Sequence, residues 1–231
     1  MRSLQGVVTD IFFDLDHTLW DFETNSDLTF KKIFQELKFN IDLSQFVGIY
    51  KPINHYYWKQ YRENKISQET LRYERLATTF RKLNHPISEI QINQIAIAYI
   101  DYLSTFTYLF DGAIRVLEYL NPRYKLHIIT NGFEKVQHYK IKNSGLERYF
   151  DSIFTAEGVG FKKPHPQIFQ TALEKTNTAP EQALMIGDSL EADILGALKQ
   201  GMHGIHFNSH EEEAHTHCPI IYSLNELKRF L

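Results

Sequence analysis

The second half of the chain alternates short apolar runs with segments whose apolar residues recur at helical spacing, and this pattern most constrains the fold. The runs predict strands over residues 7–13, 125–129, 152–155, 183–186 and 204–207. The segments between and after them predict helices over residues 113–120, 134–143, 166–175, 191–199 and 224–230. Such alternation predicts an α/β protein with a parallel sheet covered by helices on both faces. Ligand sites in such sheets lie beyond the carboxyl ends of the strands.

Residues 20–107 have a different character, because they contain a single glycine, Gly48, and their apolar residues fall at helical spacing. Predicted helices cover residues 44–61, 67–83 and 88–103, and Phe30, Ile33, Phe34 and Leu37 mark a helix before them. Pro52 is expected to kink or begin the helix in which it lies. The sequence therefore predicts an α/β core formed by residues 1–19 and 108–231, with an inserted helical domain at residues 20–107.

Bulk properties exclude several classes of protein. The 231 residues carry 25 Lys and Arg against 28 Asp and Glu, with no basic block, so no nucleic-acid polymer is expected as a partner. The single cysteine, Cys218, excludes an internal disulfide framework. No secretory signal and no bilayer-spanning apolar stretch is evident, so we expect a cytoplasmic protein without a membrane partner. Monomer and homodimer both remain open.

Asp14 and Asp16 follow the first predicted strand directly. At strand spacing, residues i and i+2 point to the same side, and two carboxylates that share a cavity repel each other unless a cation lies there. Oxygen ligands suit a hard cation such as Mg²⁺. The alternative is a turn with two solvated aspartates.

Two further elements have residues suited to phosphate chemistry, one at the end of the second predicted strand and one just before the predicted helix over residues 166–175. Thr130, Asn131 and Gly132 end the second predicted strand, where a hydroxyl and backbone N–H groups suit a phosphate; the alternative is a simple Asn-Gly turn. Lys163 precedes Pro164, which restricts its backbone, and its ammonium would cancel charge on a carboxylate and a phosphoryl group. The alternative is a solvated loop lysine.

The last element is Gly187-Asp188, followed by Asp193 in the next predicted helix. Carboxylates at a helix start complement the helix dipole, so capping alone would explain them. In the functional interpretation, Asp188 would complete a cation site with Asp14. Each element has a simple explanation, but four of them in this order around a parallel sheet favour an active site.

Together the four elements resemble the motifs of the haloacid dehalogenase superfamily, with a Rossmann-like core and the helical cap of its subfamily I. The resemblance implies that Asp14 attacks phosphorus and forms an aspartyl-phosphate, and that Asp16 protonates the leaving oxygen and then activates water. It implies Mg²⁺ on Asp14, Asp188 and the backbone carbonyl of Asp16. It also assigns roles to the remaining residues: Thr130, Asn131 and Gly132 hold the phosphoryl oxygens, Lys163 neutralises charge, and Asp193 orients Lys163 or a metal-bound water.

Two positions depart from the family pattern. His165 stands where family members often have Asp, and Lys162 competes with Lys163 for the lysine role; Lys163 is favoured because it directly precedes the proline. Asp16 favours phosphate over carbon chemistry, because the dehalogenases of this superfamily lack an acid there.

The resemblance predicts a phosphoric monoester hydrolase whose partner is a small phosphate monoester. Asp16-His17-Thr18-Leu19-Trp20 and Thr130-Asn131-Gly132-Phe133 resemble 5′-nucleotidases acting on pyrimidine nucleoside monophosphates. A sugar-phosphate phosphatase, a phosphomutase or a non-catalytic phosphate-binding module remain alternatives.

Other residues suit substrate contacts or structural roles. Trp20, Phe22 and Phe133 are candidates to line the pocket mouth. Aromatic residues of the helical insertion could stack on a base, although packing is the better interpretation: Tyr56, Tyr57, Trp58, Tyr61 and Tyr73. Arg72 and Arg75 are read as solvated helix-face residues rather than substrate ligands. Near the C-terminus, His210, His215, His217 and Cys218 match no closed zinc pattern, and Glu211-Glu212-Glu213 reads as an exposed loop.

Overall fold

Six parallel strands form one sheet in the computed structural model, which describes residues 4–231. The strands are β1 (Asp10–Phe13), β2 (Lys125–Thr130), β3 (Ser152–Thr155), β4 (Ala183–Gly187), β5 (His203–Phe207) and β6 (Ile220–Ile221). Their order is β3-β2-β1-β4-β5-β6. Phe13 lies opposite Ile128 of β2 and Ile186 of β4, so β1, β2 and β4 end nearly level beside one another. The predicted parallel α/β sheet is confirmed.

Helices and turns connect these strands. The helices are α5 (Ala113–Leu120), α6 (Glu134–Asn143), α7 (Ala156–Val159), α8 (Pro166–Thr176) and α9 (Gly196–Leu198). A π-helical turn lies at Leu190–Leu195, and 3₁₀ turns lie at Glu147–Tyr149, Pro180–Gln182 and Leu224–Arg229. Ile168 and Phe169 of α8 are fully buried in a cluster with Phe12, Ile129 and Met185 from the sheet. This cluster fixes one helical layer on the strands that carry the candidate site.

The helical insertion folds as a unit of its own, Glu23–Phe106, while the chain up to Phe22 and Thr107–Leu231 form the other unit. Its helices are α1 (Phe22–Glu36), α2 (Leu43–Arg62), α3 (Gln68–Lys82) and α4 (Glu89–Leu103). Buried rings centred on Phe30 pack against Phe34, Phe46, Tyr50 and Tyr99. The limits lie within a few residues of the predicted insertion, and its role as a cap stays a prediction.

Several details differ from the sequence-based expectations. β1 begins at Asp10 rather than Val7, because the chain turns over residues 5–7 and Val7 is exposed. α2 runs through Pro52, so Pro52 does not begin a helix. The predicted helix over 191–199 is a π-helical turn followed by the short α9, and the predicted closing helix is 3₁₀. β6 was not predicted, since two residues carry too little pattern.

Arg75 was expected to be solvated, and this expectation is wrong. Its side chain is buried, donates to Asn54 Oδ1 at 2.9 Å and lies over the ring of Tyr99 at 4.9 Å. The packing interpretation of the aromatic residues holds for Tyr57, which hydrogen-bonds Thr78, and for Trp58, which packs on Tyr61, whereas Tyr56 is exposed. No helix among residues 4–231 combines the length and apolar character that crossing a bilayer requires.

Replacing Phe169 by alanine should destabilise the α/β unit strongly. The ring is fully buried against the sheet, so its loss removes apolar burial and leaves a cavity, which costs about 3–5 kcal/mol. Urea-induced unfolding measures this change in the free energy of unfolding. Tyr222→Ala is the control, because Tyr222 is exposed, and it should change that free energy by no more than about 0.5 kcal/mol. Equal losses in the two variants would contradict the described packing.

Candidate active site

The predicted site residues meet at the carboxyl ends of three neighbouring strands. Asp14 follows β1, Thr130 ends β2 and Asp188 follows β4. The backbone N–H of Asp14 donates to Ile186 O of β4 at 2.9 Å, which fixes Asp14 beside the end of that strand. The sheet order therefore brings together residues that are far apart in sequence.

Lys163 is the centre of the charged cluster. Its side chain is only 2% exposed, and its Nζ lies 2.6 Å from Asp14 Oδ1 and 2.7 Å from Asp193 Oδ1. It also donates to the backbone carbonyl of Ile129 at 2.6 Å. These three acceptors satisfy the three donors of a lysine ammonium. The neighbouring Lys162 is partly exposed, so the structure places Lys163, and not Lys162, beside Asp14.

Burial and like charges set the protonation behaviour of this cluster. Burial raises the pKa of Asp14 well above its usual range; Lys163 opposes this shift, and the carboxylates of Asp193 and Asp188 add to it. Burial also raises the pKa of Asp193, again against the effect of Lys163. The two carboxylates together raise the pKa of Lys163 despite its burial, so the ammonium stays charged.

Three buried carboxylates, those of Asp14, Asp188 and Asp193, offer oxygen atoms within 4.8 Å of one another. Asp193 is already engaged, because its Oδ1 pairs with Lys163 and its Oδ2 accepts the backbone N–H of Ser189 at 3.0 Å. Asp14 and Asp188 are the remaining pair. One ammonium does not neutralise three carboxylates, so the oxygen-only donor set and the excess negative charge fit a hard divalent cation.

Asp188 is surrounded by groups that sequence reasoning did not connect with it. Thr18 donates to its Oδ1 at 3.1 Å, and His210 Nε2 lies 3.1 Å from its Oδ2. His206 Nε2 lies 2.7 Å from its backbone carbonyl. Burial alone would raise the pKa of Asp188, but the His210 hydrogen bond and the nearby His17 lower it below its usual value.

Asp16 is held through both carboxylate oxygens. Lys140 Nζ lies 2.5 Å from Oδ1, and Gln137 Nε2 donates to Oδ2 at 2.9 Å. The Thr130 hydroxyl donates to Gln137 Oε1 at 3.0 Å and accepts the N–H of Gly132 at 3.1 Å. In this arrangement the Gly132 N–H donates to the Thr130 oxygen and the Thr130 hydroxyl donates to Gln137, so binding a phosphoryl oxygen requires both donors to exchange partners.

Asn131 joins two of the predicted motifs. Its side-chain amide accepts from the Lys163 backbone N–H at 2.7 Å and donates to the Lys163 carbonyl at 2.9 Å. A Cβ at Gly132 would lie 2.0 Å from Gln137 Nε2, so any larger residue there would displace the Gln137 side chain. The Asn131 side chain therefore orients Lys163, and the predicted contact of Asn131 with phosphate falls to its backbone N–H.

The aromatic residues predicted at the pocket mouth are buried instead. Trp20 is fully buried, and its ring lies 4.0 Å beneath Lys140 Nζ. Phe22 and Phe133 are also buried. Trp20 could contact a substrate only if its ring were uncovered, because the ring is buried against Lys140. Its position next to the first motif did not reveal this packing.

The C-terminal His and Cys residues do not gather into one group of ligands. Within residues 4–231, Asp14, Asp188 and Asp193 are the only group of three or more His, Cys, Asp or Glu residues whose atoms lie close enough to share an ion. His210 contacts Asp188, while His215 Nε2 lies 2.9 Å from His206 Nδ1. Glu211–Glu213 are exposed, as predicted.

Gln137 and Lys140 were missed, although a signal existed. On α6 the residues Val136, Gln137, Lys140 and Ile141 share one helix face, and all four are buried. A polar pair between the two apolar residues of a buried face predicts a buried partner. The partner, Asp16, lies 124 positions before Lys140, which the sequence does not reveal.

Comparison with known proteins agrees with this geometry. The sequence model of the family described as haloacid dehalogenase-like hydrolase matches residues 11–207. The chain is 30% identical to pyrimidine 5′-nucleotidase YjjG of Escherichia coli over 96% of each chain. It is 32% identical to pyrimidine 5′-nucleotidase PynA of Streptococcus pneumoniae, covering 93% of this chain and 90% of that protein. A glyceraldehyde 3-phosphate phosphatase of Methanothermobacter thermautotrophicus is 29% identical, covering 96% of this chain and 98% of that protein.

Among solved structures, the HAD-hydrolase YfnB of Bacillus subtilis bound to magnesium superposes with a TM-score of 0.85. It is 27% identical, and the match covers 96% of this chain and 98% of that one. The predicted resemblance to this superfamily, including its nucleotidases, is confirmed.

Cys218 should react slowly with alkylating reagents at neutral pH. Burial raises the pKa of its thiol to about 11, so very little thiolate is present at pH 7. The rate of iodoacetamide modification should rise about tenfold per pH unit and keep rising through pH 10, because the thiolate is the reacting species. A short cysteine peptide with blocked ends is the control, and its rate should level off above its thiol pKa of about 8.5. A plateau for Cys218 at the same pH as the control would contradict the described burial.

Proposed function

Because this chain belongs to the haloacid dehalogenase-like hydrolase family, we propose that it is a Mg²⁺-dependent phosphoric monoester hydrolase that forms an aspartyl-phosphate on Asp14. The observation that carries the proposal is the Asp14–Lys163–Asp193 cluster at the end of the central strands. A nucleophilic carboxylate needs an oriented oxygen and nearby positive charge to approach a phosphate. Lys163 contacts Asp14 Oδ1, and no group within residues 4–231 hydrogen-bonds Oδ2.

In the first step, an oxygen of Asp14 attacks phosphorus and the bond from phosphorus to the leaving oxygen breaks. Asp16 enters this step protonated and gives its proton to that oxygen, which leaves as an alcohol while Asp16 becomes ionised. Lys163 stays charged and offsets the negative charge on Asp14 and on the phosphoryl oxygens that approach it. Its contact with Asp193 holds the ammonium in place while the Asp14 oxygen bonds to phosphorus.

In the second step, a water molecule attacks the phosphorus of the aspartyl-phosphate. Asp16, now ionised, takes a proton from that water, and the bond between phosphorus and Asp14 breaks to release inorganic phosphate. Thr130 and the backbone N–H groups of Asn131 and Gly132 bind the phosphoryl oxygens in both steps. One residue thus serves as acid and then as base, which requires Asp16 to keep a fixed position.

Asp14, Asp188 and the backbone carbonyl of Asp16 would hold Mg²⁺, with Asp193 kept away from it by Lys163 and Ser189. When bound, the ion supplies positive charge to the carboxylates and to the phosphate. His206, His210 and Thr18 orient Asp188 for this role.

We further propose that the substrates are pyrimidine nucleoside 5′-monophosphates. Two relatives that match more than nine-tenths of this chain are pyrimidine 5′-nucleotidases. The similar glyceraldehyde 3-phosphate phosphatase supports a sugar-phosphate substrate as the second candidate. The motifs described above recognise the phosphate that both candidates share, and recognition of the leaving group by the helical unit stays a prediction.

Asp14→Asn should abolish hydrolysis while the fold persists. The amide is a poor nucleophile and cannot form the aspartyl-phosphate, so kcat should fall by at least about 10⁴-fold. Phosphate release in the presence of Mg²⁺ measures this change. Asp151→Asn, an exposed carboxylate of the same unit, is the control and should leave kcat unchanged. Retention of a tenth or more of the activity in Asp14→Asn would exclude Asp14 as the nucleophile.

The substrate proposal predicts a ranking among phosphate monoesters. Pyrimidine 5′-nucleotides should exceed purine 5′-nucleotides and sugar phosphates in kcat/KM by at least about tenfold, equivalent to about 1.4 kcal/mol of transition-state binding. Phosphate release from this panel, with Mg²⁺ and with a chelator, measures the ranking, and the chelator should abolish release. A higher kcat/KM for sugar phosphates would contradict the nucleotidase proposal and leave the chemical mechanism intact.

A further inference from the structure

Lys140 is a buried cation that has no assigned part in the proposed reaction. Within residues 4–231 the buried lysines are Lys140 and Lys163. Lys163 lies among the reacting groups, whereas Lys140 lies on α6, ten residues after the end of β2. A lysine that is 1% exposed loses most of its hydration, so its place must be maintained by specific contacts.

An ion pair and aromatic rings hold the Lys140 ammonium. Its Nζ lies 2.5 Å from Asp16 Oδ1, and the ring of Trp20 lies 4.0 Å away, with Phe22 at 5.1 Å. A desolvated ammonium over an indole face is attracted by the ring in addition to its ion pair. Trp20 therefore fixes the ammonium from one side and leaves its charge directed at Asp16.

The same helix face also holds the other oxygen of Asp16. Gln137 donates to Oδ2 at 2.9 Å and accepts from Thr130 at 3.0 Å. A carboxylate anchored through both oxygens has a fixed plane and direction. Proton transfer needs a carboxyl group held within hydrogen-bond reach of the reacting oxygen, and small displacements cost large factors in rate.

We propose that Lys140 is a positioning residue that holds the Asp16 carboxylate, by a direct buried ion pair, in the orientation from which Asp16 acts on the leaving group. This inference rests on the proposed phosphatase function. Lys140 acts through Asp16, with which it forms an ion pair, and has no direct role at phosphorus or at the nucleophile in this proposal. Trp20 supports it from below, which accounts for a buried tryptophan next to the first motif.

The test compares leaving groups. p-Nitrophenolate leaves readily without a proton, whereas an alkoxide does not, so loss of a general acid harms alkyl phosphates more. Lys140→Met should lower kcat/KM for a primary alkyl phosphate at least about tenfold more than for p-nitrophenyl phosphate, since acid catalysis contributes about 10²–10⁴-fold. Lys140→Arg, which keeps the charge, should retain more alkyl phosphate activity than Lys140→Met. Lys142→Met, on the exposed face of the same helix, should leave both activities unchanged.

A double-mutant cycle separates positioning from a general structural role. In an Asp16→Asn background, Lys140→Met should cause no further loss, because residues that act as a unit are not additive. Circular dichroism and thermal unfolding establish that each variant is folded. Equal losses with both leaving groups, a further loss in the Asp16→Asn background, or a gain in activity would each overturn the proposal.

The controls also separate this proposal from the proposed function. A wild-type protein that hydrolyses neither of these phosphates, nor any 5′-nucleotide or sugar phosphate, would refute the phosphatase function, and the role of Lys140 would fall with it. A wild-type protein that hydrolyses both, with unchanged kinetics in Lys140→Met, would refute the role of Lys140 alone.

Discussion

The buried ammonium of Lys163 is the interaction on which the rest of the site depends. It lies between Asp14 and Asp193 at 2.6 and 2.7 Å and takes its third acceptor from the backbone of β2. Without it, three carboxylates would be buried at one sheet edge with no compensating cation from the protein. Breaking such a pair leaves an uncompensated charge, so the residues that orient Lys163 contribute to stability as well as to chemistry.

The chain geometry around this cluster is adapted to close approach. Glycine is needed at position 187, because a Cβ there would lie 2.3 Å from Asp193 Oδ2. The π-helical turn at Leu190–Leu195 follows at once, and Ser189 caps it while its N–H binds Asp193. π-helical turns occur frequently at functional sites, where they redirect side chains. Here the turn brings Asp193 back toward Lys163 and the end of β4.

Much of the fold and the central site could be predicted, because the relevant signals are local. Hydrophobic period and run length located the strands and helices, and Asp14, Thr130, Lys163 and Asp188 all lie next to recognisable elements. What could not be predicted depends on contacts between distant segments. Lys140 pairs with Asp16 across 124 positions, and His210 pairs with Asp188 from a loop that reads as solvent-exposed. Trp20 and Arg75 were misjudged for the same reason, since tertiary packing buries both of them.

Covalent phosphorylation of Asp14 during turnover is the step that most needs a direct measurement. A rapid acid quench of the wild-type protein with ³²P-labelled substrate and Mg²⁺, followed by peptide mapping, provides it. We expect an acid-stable, base-labile label on the peptide that contains Asp14, formed before phosphate is released. Label on a different side chain, or stoichiometric phosphate release in the first turnover with no labelled protein, would contradict it.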